Sequence, residues 1–301
     1  MLFSTGNIYT QQIFDPRLEE KQLSLSVVRF DQIHPVVSGN KLFKLNYFLQ
    51  QADGVKNATV VTFGGAYSNH LIATAFSCRQ LGLRCIGIVR GEQPAILSPT
   101  LIQCLANGME LKFIPRTLYN DKTSAAFLNS IINEFPEAVI IPEGGYDQTG
   151  TKGASLMYQF IDSAATHICC AIGTATTIAG ILTAATANQK IIGLPVLKGL
   201  TDIPDRINFL TKGKVNKAKL IIADAYHFGG YAKKNEDLIA FMNQLYSDYQ
   251  LPTDFVYTAK LMYAIFDLIQ KDFFEKGSNI HCLHTGGLQG NASLSDKTLI
   301  F

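Results

Sequence analysis

Lys41 sits in the run Ser38-Gly39-Asn40-Lys41-Leu42-Phe43-Lys44, where Gly39 and Asn40 suit a turn and Leu42 and Phe43 suit the first turn of a helix. A lysine held against apolar neighbours binds its proton less tightly, and the neutral amine can attack an aldehyde to form a Schiff base. Taken alone, Lys41 and Lys44 read as surface lysines on a first helical turn. Three further polar elements shift that balance.

In Gly64-Gly65-Ala66-Tyr67-Ser68-Asn69-His70, glycines follow an apolar β-branched run and Ser68 stands at a helix N-cap position. The N–H groups of Asn69, His70 and Leu71 would then form a seat for a carboxylate, and the Asn69 amide could hydrogen-bond a ring oxygen. An ordinary capped turn is the alternative. The stretch lacks the flanking glycines of a serine-hydrolase elbow. Gly173-Thr174-Ala175-Thr176-Thr177-Ile178-Ala179-Gly180 follows another apolar run and opens a helix. Backbone N–H groups, threonine hydroxyls and the helix dipole can cradle a phosphate there. The turn is neither a Walker A sequence nor a dinucleotide fingerprint. His284-Thr285-Gly286-Gly287 ends the last apolar run, and the Thr285 hydroxyl could face a pyridine nitrogen. A hydroxyl leaves such a nitrogen mostly neutral and favours elimination over transamination. His281 and His284, three apart on a strand, point to opposite faces and do not read as a metal pair. An amine for an aldehyde, a carboxylate seat, a phosphate cradle and a partner for a pyridine nitrogen are the parts of a pyridoxal phosphate site.

The elements that must position these residues alternate between apolar β-branched runs and helix-period segments, the pattern of βαβ units with parallel sheets. Strands are predicted at Ala58–Phe63, Arg84–Arg90, Glu110–Ile114, Ala138–Pro142, His167–Ile172, Lys190–Leu197, Lys219–Asp224 and Asn279–His284. Helices are predicted at Ser68–Leu81, Ser98–Asn107, Ser124–Glu134, Gly150–Ala164, Thr177–Ala187, Glu236–Tyr246 and Ala259–Phe274. The fold class is α/β, with two lobes, each an open and mostly parallel sheet flanked by helices, and a cleft between them. Residues 1–45 and 148–301 are expected to form a large cofactor-binding lobe and residues 46–147 a small inserted one.

With 17% charged residues, 47% hydrophobic residues and a net charge of +2 over 301 residues, nothing points to nucleic acid or a membrane surface as partner, and the expected ligand is a small molecule. The first residues lack the features of a signal peptide and no apolar run is long enough to span a bilayer, so a cytoplasmic location is expected. Six cysteines without a C-x-x-C pair read as reduced core residues.

In this order and at these distances, the four elements resemble the tryptophan-synthase-β-like, fold-type-II pyridoxal phosphate enzymes. Over nearly the whole chain the similarity is to the 1-aminocyclopropane-1-carboxylate deaminase/D-cysteine desulfhydrase family. The resemblance implies that Lys41, not Lys44, is the Schiff-base lysine. It places Asn69 on the cofactor's ring hydroxyl, Ser68 and His70 beside the substrate, Gly173, Thr174, Ala175, Thr176 and Thr177 on the phosphate, and Thr285 on the ring. Val256-Tyr257-Thr258-Ala259-Lys260 is similar to the family's Tyr-Thr/Glu-Gly-Lys segment, which makes Tyr257 catalytic together with Lys41 and Ser68, and puts Thr258 at the substrate. Tyr226 and Tyr231 resemble a tyrosine-rich active-site loop, and both read equally well as core packing. The family's deaminases carry Glu and Leu where this chain has Thr258 and Thr285, which favours α,β-elimination on a small amino acid. D-cysteine, giving pyruvate, hydrogen sulfide and ammonia, is the expected substrate, and the resemblance implies a homodimer. Ala259 in place of glycine and the glycine-poor turn at 173–177 depart from the pattern. A cyclopropane-opening deaminase, a β-replacing synthase and a non-catalytic binder of a phosphorylated ligand are the alternatives.

Overall fold

The structure, a computed structural model, describes residues 2, 4–34, 37–216 and 218–301. Its strands are β1 Thr10–Ile13, β2 Ser24–Arg29, β3 Thr59–Gly64, β4 Arg84–Arg90, β5 Met109–Ile114, β6 Ala138–Ile141, β7 His167–Ile172, β8 Lys190–Pro195, β9 Lys219–Ile222 and β10 Asn279–His284. Its helices are α1 Pro16–Glu20, α2 Asn40–Asp53, α3 Asn69–Leu81, α4 Pro99–Ala106, α5 Arg116–Asn120, α6 Ala125–Glu134, α7 Gln148–Ser155, α8 Thr176–Ala184, α9 Ile203–Thr211, α10 Glu236–Tyr249 and α11 Thr258–Gln270.

Two sheets result, one ordered β1-β2-β10-β7-β8-β9 and the other β5-β4-β3-β6. All pairings are parallel except β1 with β2. Every residue of β3 and of β7 is buried, as a parallel strand covered by helices on both faces requires, and this is why both read as mostly apolar runs.

Strands β1 and β2 are not among those the sequence predicts. Thr10-Gln11-Gln12-Ile13 is an edge strand with a single buried residue, so it carries no apolar signal. The helix expected at Gly150–Ala164 stops at Ser155 and continues as a 3-10 turn over Leu156–Phe160. That tighter turn brings the Phe160 ring edge-on to Phe30 and Phe43, at centroid distances of 5.8 and 5.9 Å. Helix α2 runs for 14 residues from the lysine turn and crosses α7 at very short range. A Cβ on Gly153 would fall 2.0 Å from the Phe43 carbonyl oxygen, so only glycine allows that crossing.

Strand carboxyl ends converge on one place. After β3 comes the Gly64–Asn69 turn, after β6 the Glu143–Gly145 turn, after β7 the Gly173–Ala175 turn and after β10 Thr285–Gly287. A crevice beyond the carboxyl ends of parallel strands is where open α/β sheets bind ligands. No helix among the described residues is long and apolar enough to cross a membrane.

Candidate active site

The crevice is lined by Asn40, Lys41, Lys44, Asn69, Gly144, Ala171, Gly173, Thr174, Ala175, Thr177, Ile178, Tyr257, Thr285, Gly286 and Gly287. Segments far apart in sequence are locked together there. Gly39 takes φ +81 and donates its N–H to the Phe30 carbonyl, while the Asn40 N–H donates to the Thr285 carbonyl at 3.2 Å. A Cβ on Gly39 would lie 1.8 Å from that same carbonyl oxygen, so the start of α2 and the end of β10 meet backbone to backbone.

Lys41, on the first turn of α2, donates from Nζ to Asn40 Oδ1 at 2.7 Å, and Asn40 Nδ2 donates to Thr177 Oγ1 at 2.7 Å. The amine stands 5.9 Å from the centroid of the Tyr257 ring. Burial pushes its pKa down to about 8, against the pull of Asp254 and Cys170. A useful fraction of the amine is therefore neutral near physiological pH. Lys44, one turn further along, also lines the crevice, is buried, and makes no hydrogen bond or ion pair among the described residues. Burial and the neighbouring Lys41 charge hold its pKa well below the ordinary lysine range. A buried amine with no partner among the described residues is costly to charge unless an anion joins it, so Lys44 could receive one.

The anion cradle lies opposite. Helix α8 begins at Thr176 with no side chain capping its N-terminus, so its first N–H groups have no side-chain partner. Ala175 adopts φ +68 to make the turn, a left-handed conformation unusual for a residue with a Cβ. Thr174 and Thr176 share a hydroxyl contact of 2.9 Å. Gly173, Thr174, Ala175 and Thr177 reach the crevice wall, whereas Thr176 is fully buried behind it.

The Ser68–His70 stretch is used differently from the sequence expectation. Ser68 does cap α3, and in doing so its Oγ accepts the Leu71 N–H at 3.3 Å. That donor is no longer free for a substrate carboxylate. Ser68 does not reach the crevice lining; Asn69 does, and its buried Oδ1 has no partner. His70 lies beneath the site, its Nε2 2.9 Å from Thr62 Oγ1, and Thr62 gives its own proton to the Ile141 carbonyl. Burial and the charges of Lys41 and Lys44 push the His70 pKa down to about 3. A neutral imidazole tying α3 to β3 is a strut, so the ring is occupied there and only the backbone N–H of His70 is left to turn toward the crevice.

Tyr257 lines the crevice, with burial and Tyr231 holding its hydroxyl protonated far above the ordinary tyrosine range. Tyr231, 52% exposed, meets it edge-on at 6.1 Å from outside the lining. Tyr226 is turned elsewhere and donates to Asp267. Thr258 corrects another expectation. Its hydroxyl donates to Asp254 Oδ1 at 2.7 Å and accepts the Asp254 N–H at 2.8 Å, so it is occupied inside the turn. Thr285 lies on the crevice wall. Asp254 has no local signal in the sequence, because it stands three residues before the N-cap Tyr257 rather than at the capping position. It is fully buried and its two oxygens accept from the N–H groups of Val256, Tyr257 and Thr258 and from the Thr258 hydroxyl.

His284 points away from the crevice, with Nε2 2.7 Å from the Pro252 carbonyl and Nδ1 3.2 Å from Asp31, which Arg29 grips with two bonds. The six cysteines are free and buried. A second hollow, lined by Tyr47, Gln50, Gln51, Gln148, Thr149 and Lys152, lies along α2 and α7 and lacks a backbone cradle.

Two buried amines of lowered pKa, an uncapped helix start and an orphaned amide oxygen line the same crevice. These groups fit a flat heteroaromatic aldehyde carrying a phosphate: Lys41 for the aldehyde, Lys44 with Gly173–Thr177 for the phosphate, Asn69 and Thr285 for the ring.

A family model described as pyridoxal-phosphate dependent enzyme matches residues 13–286. The chain is 28% identical over 300 residues to a D-cysteine desulfhydrase of Klebsiella pneumoniae, covering 90% of this chain and 89% of the relative. It is also 28% identical to a bifunctional D-cysteine desulfhydrase/1-aminocyclopropane-1-carboxylate deaminase of Arabidopsis thaliana, covering 84% of this chain and 70% of the relative. A solved structure described as an ACC deaminase homologue superposes with a TM-score of 0.81 at 24% identity, over 97% of this chain and 93% of that one. This last likeness bears on the fold.

Proposed function

The chain belongs to the pyridoxal-phosphate-dependent enzymes, in the 1-aminocyclopropane-1-carboxylate deaminase/D-cysteine desulfhydrase group, and from that premise we propose that it is a lyase catalysing α,β-elimination on a small amino acid. D-cysteine is the proposed substrate, with pyruvate, hydrogen sulfide and ammonia as products. The observation that carries this reading is the Lys41 amine, with its pKa lowered to about 8, in the same crevice as the uncapped start of α8.

When bound, the cofactor supplies an electron sink that acidifies the substrate's Cα–H. Lys41 would hold it covalently, and its amine would also serve as the general base for the Cα proton, a role that a partly neutral amine can fill. Lys44 and the Gly173–Thr177 turn would hold the phosphate, and Asn69 the ring oxygen. The free N–H groups of Asn69 and His70 would receive the substrate carboxylate. Tyr257, protonated over the whole working range, would give its proton to the departing sulfur. Residues 46–147 would act as a small lobe facing 1–45 and 148–301 across the crevice.

The elimination reading rests on Thr285, a hydroxyl at the wall where a neutral ring partner belongs. The relative that carries both activities keeps the cyclopropane deaminase as a second reading. The test is an absorption spectrum with and without D-cysteine, alongside Lys41→Ala, followed by product analysis. A visible band that shifts with substrate, vanishes in the variant and accompanies pyruvate and sulfide release supports the proposal. Production of 2-oxobutyrate from 1-aminocyclopropane-1-carboxylate, without sulfide from D-cysteine, would replace it with the second reading. A colourless protein that stays so with added pyridoxal phosphate would leave a phosphate-ligand binder.

A further inference from the structure

Lys260 is a charged residue to which the proposed chemistry gives no task. It lies on α11 two residues after Thr258, is 0% exposed, and faces no carboxylate at ion-pair distance among the described residues. A buried ammonium needs compensation, and here it comes from two backbone oxygens. Nζ donates to the His227 carbonyl at 2.9 Å and to the Gly230 carbonyl at 2.8 Å.

Those carbonyls belong to a loop that does not hold its own shape cheaply. Phe228, Gly229, Gly230 and Ala232 all have positive φ, at 52, 90, 121 and 53°, and two of the four carry a Cβ. Backbone in that region persists only where its surroundings impose it. The loop's own ties are the Gly230 N–H to the His227 carbonyl, the Lys233 N–H to the Gly230 carbonyl and the Gly229 N–H to His227 Nδ1. Two of these end on the very oxygens that Lys260 holds. Between them stands Tyr231, whose exposed ring meets Tyr257 edge-on at the mouth of the crevice.

We propose that Lys260 is a positioning residue, a buried clamp on the 227–232 loop that sets Tyr231 against Tyr257 and so fixes how small an amino acid the crevice admits. The inference rests on the crevice being the substrate site. Burial also lowers the Lys260 pKa to about 8 while Asp254 opposes that shift, consistent with an amine held by neutral carbonyls.

The test replaces Lys260 with Met, which keeps the length and removes the donor, and measures amide hydrogen exchange together with steady-state kinetics of the holoenzyme. Expected are an unchanged visible cofactor band, exchange at least tenfold faster confined to residues 227–232, and a KM for the small substrate raised about tenfold with kcat within a factor of about two. Tyr231→Ala, a change at an exposed ring, should raise KM similarly, and the double variant should be no worse than either single one. Unchanged exchange in 227–232, or effects of the two changes that multiply, would overturn the clamp. If Lys260→Met does not fold, Tyr231→Ala still decides: an unchanged KM refutes the selecting role. If the wild-type protein shows no cofactor band and no lyase activity, the functional reading fails, while the exchange experiment still settles whether Lys260 holds the loop.

Discussion

Replacing Asp254 by Asn changes one atom and should cost far more than an ordinary isosteric exchange. The carboxylate accepts four hydrogen bonds between 2.7 and 2.9 Å, from the N–H groups of Val256 and Tyr257 on Oδ2 and from the N–H and hydroxyl of Thr258 on Oδ1. An amide has one acceptor oxygen. Its best orientation keeps the oxygen on Val256 and Tyr257 and turns the NH2 toward Thr258, whose hydroxyl can rotate to accept while its buried N–H cannot. One orphaned donor costs about 1–3 kcal/mol, and the loss of charge assistance on the surviving bonds adds roughly 1 kcal/mol. The expected destabilisation is therefore about 3 kcal/mol, read as a shift in the urea midpoint at constant slope. Thr258→Val removes the hydroxyl's bond to the carboxylate and also leaves the Asp254 N–H without its acceptor, so it should cost a comparable amount, about 1–3 kcal/mol. Asp254 also raises the pKa of Lys41, so Asp254→Asn should move the pH dependence of cofactor capture by the apoprotein toward lower pH. A variant within about 0.5 kcal/mol of wild type, the ordinary scatter of benign substitutions, would refute the account of this turn.

Three further outcomes follow from the same geometry. Lys44→Met should weaken binding of pyridoxal phosphate by about 2 kcal/mol, or roughly thirtyfold, through loss of a charge-assisted contact, and leave binding of unphosphorylated pyridoxal nearly unchanged; equal losses for both ligands, measured by titration of the visible band, would show that Lys44 does not meet the phosphate. Ala175→Gly should raise apoprotein stability by about 0.5–1 kcal/mol, because the strain of a Cβ at φ +68 exceeds the added backbone entropy of glycine, and a lowered melting temperature would contradict this. In the apoprotein, Lys41 has a folded-state pKa near 8 against 10.5 for the free side chain, so the folded state binds fewer protons between these values and the penalty of burying the charge is present below pH 8 and relieved as pH rises toward 10.5. Apo Lys41→Met should accordingly be more stable than apo wild type near pH 7, by up to about 3 kcal/mol, with the difference shrinking across that window; a difference that grows with pH would reverse the assignment.

Much of the sheet structure was legible because its strands are buried on both faces. The strands β3, β4, β7 and β10 are buried over all or nearly all of their length and are mostly apolar, whereas β1, at the open edge, has one buried residue in four and no pattern to read. The backbone parts of the site were legible for a similar reason. A glycine before a lysine, a serine at an N-cap and small residues at a helix start are local signals. A side chain's second hydrogen bond is not local. Nothing in the sequence says that the Ser68 hydroxyl closes on Leu71, that His70 reaches back to Thr62, or that Lys44 has no partner among the described residues.

Thr258 shows what that difference means for substrate preference. Two threonines, at 258 and 285, supported the same conclusion in the sequence, but only Thr285 faces the crevice. Thr258 is 1% exposed and locked to Asp254, so a residue at 258 can influence the substrate only through the turn that carries Tyr257. A glutamate there would bring a second carboxylate against a buried aspartate whose oxygens already accept four hydrogen bonds. Position 258 and position 254 are thus a single physical unit. Lys260 follows in the same helix and fixes the Tyr231 loop on the other side of Tyr257. The chain's choice of substrate then depends on how the Asp254 turn and the Lys260 clamp together aim one tyrosine ring, and less on which side chain touches the ligand.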